Sequence, residues 1–264
     1  MSASPREFLE AIRDEGRPAI DGSKVAVAVA HPDDETIGCG ALLSRLAGVS
    51  VVVVTDGAPA DGADARAHGF ADRESYAWRR AAELDQAMQI AGVSRDNVIR
   101  FGVADQQAAF GLEKITARLA QLFAERGIGV VLTHAYEGGH PDHDATAFCA
   151  HRAVNRLNRA IAILEMPYYR LGATGDEFQT FPPGAATLRI PLDEQERTRK
   201  QRMLGAYATQ TAVLANFTLA SEQFRMAPDH DFSVLPNGGR VLYEQRGWGL
   251  TGGEWLRCVR KAVA

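Results

Sequence analysis

The hydrophobic positions of the chain follow two alternating patterns. Short runs rich in valine and isoleucine predict β-strands at residues 24–30, 51–55, 98–101 and 130–133, with a weaker fifth at 161–164. Between them, apolar positions recurring about every 3.6 residues predict helices at residues 37–46, 75–90, 112–126 and 145–157. The resulting order is strand, helix, strand, helix.

This alternation predicts an α/β fold. Strands that are apolar along their whole length belong in a mostly parallel sheet that helices cover on both faces. We expect a Rossmann-like, doubly wound sheet with the strand order 3-2-1-4-5, in which the first and fourth strands are neighbours. Ligands of such sheets bind beyond the carboxyl ends of the strands, where neighbouring connections leave in opposite directions.

The pattern weakens towards the C-terminus. Helices are predicted there at residues 192–207, 221–227 and 254–263, and a stretch of Asp, Gly and Ala predicts a long loop at 58–71. We expect a single domain over residues 1–264, with a core at about 24–167 and a C-terminal extension at about 168–264 packed on it.

Charge and composition exclude several kinds of partner. The 264 residues carry 29 basic and 33 acidic side chains, a net charge of −4. The sequence has no basic block, which argues against a nucleic-acid partner. Apolar runs of about six residues are too short for a membrane helix, which needs about 20, so no membrane insertion is expected. The N-terminus lacks the apolar core of a signal peptide, and an odd number of cysteines, three, cannot form a closed disulfide framework. We therefore predict a cytoplasmic protein.

Two motifs rich in histidine and aspartate follow the first and fourth predicted strands. Residues 30–36 read AHPDDET, and residues 138–144 read GGHPDHD. Because these strands are predicted to be neighbours, both motifs should lie at one edge of the sheet. Two imidazoles and a carboxylate form the three-ligand set of a catalytic zinc ion, which keeps a fourth position open for water. The sequence therefore predicts a metal site at this edge.

The same motifs resemble those of a known family. AHPDDE at residues 30–35 and HPDH at 140–143 are similar to the signatures of the PIG-L/LmbE-like zinc-dependent deacetylases, and the resemblance extends over about residues 24–167. It implies a hydrolase that removes an N-acetyl or other N-acyl group from an amino sugar or sugar conjugate. The implied cofactor is Zn²⁺, with Fe²⁺ or another divalent ion as an alternative.

The resemblance also implies roles for single residues. His31, Asp34 and His143 correspond to the metal ligands. Asp33 corresponds to the general base that takes a proton from the zinc-activated water, and a well-placed base typically contributes ~10²–10⁴-fold to the rate. His140 corresponds to a histidine that, when protonated, stabilises the oxyanion or protonates the leaving amine.

Further positions are expected to support this chemistry. Asp142 is expected to hold the tautomer or the charge of the first histidine in HPDH. Arg80 and Asp105 correspond to positions that contact substrate hydroxyl groups. The family's oxyanion tyrosine would stand at Gly138, so this chain departs from the pattern there, and its nearest tyrosine is Tyr136.

Two other functions stay open. The spacing of His31 and Asp33, with a distant histidine, also fits the facial triad of non-haem Fe(II) enzymes, although the β-α alternation disfavours their barrel scaffold. A non-catalytic sugar-binding module that retains its metal is the second alternative. The expected partner of the leading interpretation is a small N-acetylated amino sugar or glycoconjugate. Homo-oligomerisation is left open.

Overall fold

The computed structural model describes residues 5–182, 184 and 186–264. The strands in these residues are β1 (Ile20–Asp21), β2 (Val25–Val29), β3 (Leu46–Ala47), β4 (Ser50–Pro59), β5 (Val98–Asp105), β6 (Val130–His134), β7 (Ala162–Met166), β8 (Tyr169–Leu171), β9 (Asp176–Phe178), β10 (Leu188–Pro191) and β11 (Ser221–Met226). The α-helices are α1 (Pro5–Arg13), α2 (Asp34–Leu43), α3 (Ala63–Ala67), α4 (Arg73–Ala91), α5 (Leu112–Glu125), α6 (Pro141–Arg156), α7 (Glu194–Leu204), α8 (Thr211–Leu214), α9 (Leu242–Arg246) and α10 (Gly252–Val263).

Seven of these strands form the central sheet, in the order β10-β11-β7-β6-β2-β4-β5. The five strands from β7 to β5 are all parallel to one another. Their order is the predicted 3-2-1-4-5, and the predicted α/β class is confirmed. Because β2 and β6 lie side by side, the motifs that follow them meet at the carboxyl edge of the sheet.

The sequence of β2 shows why helices cover both faces. This strand reads VAVAV and is buried throughout. Its valines belong to one hydrophobic cluster, shared with residues of α2, α4 and α7. Its alanines belong to a second cluster, shared with residues of α5, α6 and α10. Because successive side chains of a strand point to opposite faces, the two clusters lie on opposite sides of the sheet.

Two helices begin earlier than predicted, inside the motifs themselves. α2 begins at Asp34, three residues before the predicted start, and α6 begins at Pro141, four residues before it. Proline fits the first position of a helix because its φ is already helical. Acidic side chains in the first turn interact favourably with the helix dipole. The functional side chains therefore project from two helix N-termini directly above the sheet.

The C-terminal residues extend the sheet itself. β11 pairs with β7 and with β10, antiparallel in both cases. The helix predicted at 221–227 is therefore wrong, because pairing with β7 imposes a two-residue period in which Glu222 and Phe224 are buried. The predicted helices at 192–207 and 254–263 correspond to α7 and α10, and the predicted loop at 58–71 contains α3. No helix in the described residues is long and apolar enough to cross a membrane.

Candidate active site

Three side chains from the two motifs converge at the ends of β2 and β6. His31 Nδ1 lies 3.1 Å from Asp34 Oδ2. His143 Nε2 lies 3.3 Å from Asp34 Oδ1 and 3.3 Å from His31 Nδ1. Ligand atoms placed ~2.1 Å from a tetrahedral zinc ion are about 3.4 Å apart, so this spacing and this donor set both fit a divalent metal. The three side chains correspond to the predicted ligands.

Asp33 is adjacent to Asp34, but its carboxylate pairs with an arginine and not with the histidines. Its Oδ2 lies 3.2 Å from Arg80 Nη2, and its backbone N–H donates to Glu35 Oε2 at 3.1 Å. Its φ of 127° is rare for a residue with a side chain, so the surrounding contacts must hold it against strain. Such strain occurs where a side chain has to be aimed for function.

Arg80 is buried, with 4% of its surface exposed. Its guanidinium donates to the carbonyls of Pro32 at 2.6 Å and Gly57 at 3.1 Å, in addition to the carboxylate of Asp33. These bonds tie the turn after β2 to the end of β4. A contact with substrate hydroxyls was expected for this residue, whereas most of its donors are directed at the protein.

The second ring nitrogen of His31 lies close to two more carboxylates. Its Nε2 lies 3.1 Å from Asp105 Oδ1 and 3.4 Å from Asp142 Oδ2. The carboxylate of Asp142 is held by the backbone N–H groups of Gln106 at 2.6 Å and Ala108 at 3.0 Å. Asp142 therefore orients His31 and the loop after β5, although it was expected to support His140.

His140 caps the N-terminus of α6. Its Nδ1 accepts a hydrogen bond of 3.2 Å from the backbone N–H of Asp142, so its proton resides on Nε2. Nε2 lies 3.8 Å from Asp105 Oδ1, and the ring meets His31 edge to face at 4.5 Å. Burial lowers the pKa of His140 well below its ordinary value. This geometry favours a neutral ring that donates from Nε2, rather than the protonated ring that the resemblance implies.

The pKa values of the two adjacent aspartates are shifted in opposite directions. Burial raises the pKa of Asp33 well above its usual range, and Arg80 only partly offsets this effect. Burial also disfavours the charge on Asp34, but the imidazoles of His143 and His31 hold the pKa of that carboxyl well below its usual range. Two acids whose environments separate their pKa values in this way are suited to two roles, a permanently ionised ligand and a proton acceptor.

Two residues of the site, His134 and Tyr168, were not predicted from the sequence. His134 ends β6, its Nε2 accepts from the N–H of Ala30 at 2.8 Å, and its ring stacks on His143 at 4.0 Å. Its position at the carboxyl end of a strand was the available signal. The hydroxyl of Tyr168 donates to the carbonyl of Asp34 at 2.9 Å. No local pattern could indicate this last contact, since 134 positions separate the partners.

The structure does not favour a tyrosine at position 138, where the resemblance places the oxyanion tyrosine. Gly138 has a φ of 71°, which favours glycine, and a Cβ there would lie 3.0 Å from Val241 Cγ1. Tyr136 does not replace it. Its hydroxyl donates to the carbonyl of Val234 at 3.0 Å and accepts from the indole of Trp255 at 2.8 Å, so it fastens the C-terminal extension to the sheet.

Half-buried aromatic rings border the metal-ligand cluster on the side of the extension. Trp248 lies 5.3 Å from the ring of His140, and Tyr169 lies 5.3 Å from the ring of His143. Among the described residues, neither the indole N–H nor the phenolic hydroxyl has a hydrogen-bond partner. Amphipathic rings with free polar groups are well suited to contact a ligand.

Known proteins resemble this chain in sequence and in fold. Residues 26–154 match the family described as "PIG-L: GlcNAc-PI de-N-acetylase", and both motifs lie within the matched segment. Over these residues the chain belongs to the PIG-L family. Like this PIG-L chain, the A40926 pseudoaglycone deacetylase Dbv21 has the same fold, with a TM-score of 0.60 at 22% identity over 77% of this chain and 96% of that one.

Two curated relatives are similar in sequence to this PIG-L chain. The first is the 1D-myo-inositol 2-acetamido-2-deoxy-alpha-D-glucopyranoside deacetylase 2 of Catenulispora acidiphila, 32% identical in an alignment over 154 residues that covers 50% of this chain and 51% of the relative. The second is the diacetylchitobiose deacetylase of Thermococcus kodakarensis, 28% identical in an alignment over 169 residues that covers 60% of this chain and 61% of the relative. The alignments thus span only about half to three fifths of these relatives.

Proposed function

We propose that the protein is a metal-dependent hydrolase that removes an N-acetyl group from an amino sugar or a sugar conjugate. One observation carries the proposal: each pair of side chains among His31, Asp34 and His143 brings two ligand atoms within 3.1–3.3 Å, and the carboxylate of the adjacent Asp33 pairs instead with Arg80. A metal-binding protein without catalysis has no need for a separately held acid beside its ligands.

Zinc is the proposed cofactor, held by His31, Asp34 and His143. When bound, it would supply Lewis-acid chemistry, polarising the amide carbonyl and making water more acidic. Asp33 would take the proton from the attacking water, because its raised pKa brings it closer to neutral pH, where a base acts best. His140 would donate from Nε2 to the oxygen that becomes negative.

The substrate class rests on the relatives. Their names describe deacetylases of an acetamido sugar linked to inositol and of a chitin disaccharide. An acetamido group on a pyranose ring is common to both. We propose that Asp105 and Arg80 face the hydroxyl groups of such a ring. Trp248 and Tyr169, which border His140 and His143, would offer it an aromatic wall.

The facial-triad alternative is less well supported. It requires the carboxylate of Asp33 beside His31, whereas Asp34 makes that contact and Asp33 pairs with Arg80. The proposed location stays the cytoplasm. This is supported by free thiols at Cys39, Cys149 and Cys258, as a reducing compartment would maintain.

A panel of substrates tests the function. The chelated protein should be inactive, and about one equivalent of Zn²⁺ should restore release of free amine from N-acetylglucosamine, diacetylchitobiose or an acetamido sugar linked to inositol. N-acetyl-lysine, which lacks the ring, serves as the control substrate. Alanine at His31 and His143 should abolish activity and the binding of the equivalent that restores it. Full activity without metal, or turnover of N-acetyl-lysine alone, would contradict the proposal.

A further inference from the structure

A second group of metal-binding side chains lies away from the candidate active site. His151 comes from α6, Glu165 from β7, and His230 from the segment that follows β11. One atom of each side chain lies within 4.8 Å of the other two. Neither motif contains any of the three residues, and the proposed reaction does not use them.

The carboxylate of Glu165 is at the centre of this group. It is fully buried, and its Oε2 accepts a hydrogen bond of 2.7 Å from Arg225 Nε. Its Oε1 is approached by the Nε2 atoms of both histidines, at hydrogen-bonding distance by His230 and at 3.8 Å by His151. Although burial opposes ionisation, His151, His230 and Arg225 lower the pKa of Glu165 to about 2, so the carboxylate is charged at neutral pH.

His151 shows that the group is incomplete. Its Nε2 is buried and has no hydrogen-bond partner in the described residues, since 3.8 Å to Glu165 exceeds a hydrogen bond. A buried polar atom without a partner costs free energy that a bound ion would recover. The two imidazole rings, whose side chains are 13% and 12% exposed, leave a route for an ion from solvent.

We propose that His151, Glu165 and His230 form a second divalent-metal site, distinct from the active site, which fastens the segment after β11 to α6 and β7. Two imidazoles and one carboxylate select borderline ions such as Zn²⁺, Co²⁺ or Ni²⁺ over Ca²⁺ and Mg²⁺. Arg225 occupies the oxygen that the ion does not use, so it orients the ligand as hydrogen-bonded partners of metal ligands do.

The site has a structural role. The segment that contains His230 also contains Val234, whose carbonyl accepts the hydroxyl of Tyr136 at the start of the loop between β6 and α6. The ring of His230 lies 5.6 Å from that of Tyr136. An ion at this site would therefore hold the C-terminal extension against the loop that leads to His140 and His143.

The test uses a protein whose catalytic ligands are removed. The His31→Ala/His143→Ala double variant, freed of metal by chelation, is titrated with Co²⁺ and with Zn²⁺. We expect it to bind one equivalent, with a visible cobalt absorption band and a rise in Tm. Adding His151→Gln should weaken binding by at least ~10-fold, because glutamine keeps a polar contact with Glu165 but is a poor ligand for zinc. His230→Gln should do the same.

A matched control and a second measurement make the outcome decisive. His68→Gln changes an exposed histidine outside both groups and should leave the equivalent bound. Far-UV circular dichroism checks that each variant is folded. If the double variant binds no metal, or if His151→Gln keeps full affinity, the group is an ion-pair network and the proposal is overturned. The proposed function fails by a different result: if wild-type protein binds no more metal than the double variant, His31 and His143 are not metal ligands, whatever the effect of His151→Gln.

Discussion

Asp33 and Asp34 are neighbours in the chain and occupy opposite environments. We expect Asp33→Asn to keep the metal content of the wild-type protein while kcat falls by at least ~10²-fold, because the amide cannot accept a proton. Asp34→Asn should instead lose metal, because it removes the charged ligand between His31 and His143. Elemental analysis and steady-state kinetics measure both effects, and each variant is the control for the other. Near-normal kcat in Asp33→Asn would exclude it as the base.

Arg80 offers a second test at the scale of one side chain. Its charge lowers the pKa of Asp33 against the effect of burial, so its removal should raise that pKa further. Because the base must be deprotonated, the acidic limb of the kcat/KM profile should move to higher pH in Arg80→Gln, with less movement in Arg80→Lys. A higher KM with an unchanged pH profile would instead indicate that Arg80 only binds substrate hydroxyls.

The loop between β6 and α6 is an element built on two buried acids. The carboxylate of Glu137 accepts from the backbone N–H groups of Tyr168 and Tyr169, and Asp144 accepts from those of Glu137 and Gly138. Each acid has one oxygen without a partner in the described residues. This loop leads to His140. Its hydrogen bonds therefore help to position the proposed catalytic histidine, at the free-energy cost of burying two carboxyl groups.

The cost of Glu137 predicts a pH dependence of stability. Burial raises its pKa from 4.5 to about 8, so the folded protein binds a proton that the unfolded chain releases. The stability from this proton is complete below pH 4.5 and is lost as the pH rises towards 8. Between these pH values this proton makes the unfolding free energy fall as the pH rises. We expect Glu137→Gln to reduce the slope of that fall by the amount that corresponds to about one bound proton. Urea titrations at several pH values measure it, and an unchanged slope would contradict the assigned pKa.

The elements differ in how far the sequence could predict them. The five parallel strands are short apolar runs, which can be recognised in the sequence without knowing which strands pair. The two motifs directly follow two of these runs, so the sequence also shows at which strand ends they lie. β11 could not be predicted, because its pairing with β7 decides the conformation of a polar segment. The same limit applies to Arg80, whose position on a helix is visible in the sequence but whose contacts with Pro32 and Gly57 depend on the folded sheet.

At the scale of the whole molecule, the C-terminal extension and the core share buried polar contacts. α2 departs from helical geometry at Cys39, and the freed N–H groups of Ala41 and Leu42 donate to the carboxylate of Glu222 in β11. Lys200 of α7 lies 2.8 Å from the same carboxylate, and both charged side chains are buried. The extension therefore satisfies backbone groups that the core leaves open, which supports the proposal that residues 1–264 form one domain.

This arrangement predicts that core and extension unfold together. Trp248 and Trp255 lie in the extension, and the third tryptophan, Trp78, is 77% exposed, so fluorescence reports mainly on the extension while far-UV circular dichroism reports on the whole chain. We expect the two urea transitions to coincide. Glu222→Ala should lower the unfolding free energy by about 3–5 kcal/mol, because it leaves Lys200 buried without its partner, and both transitions should shift equally. Lys200→Met/Glu222→Gln should cost less, because no buried charge remains. A fluorescence transition that moved alone would mean that the extension is a separate domain.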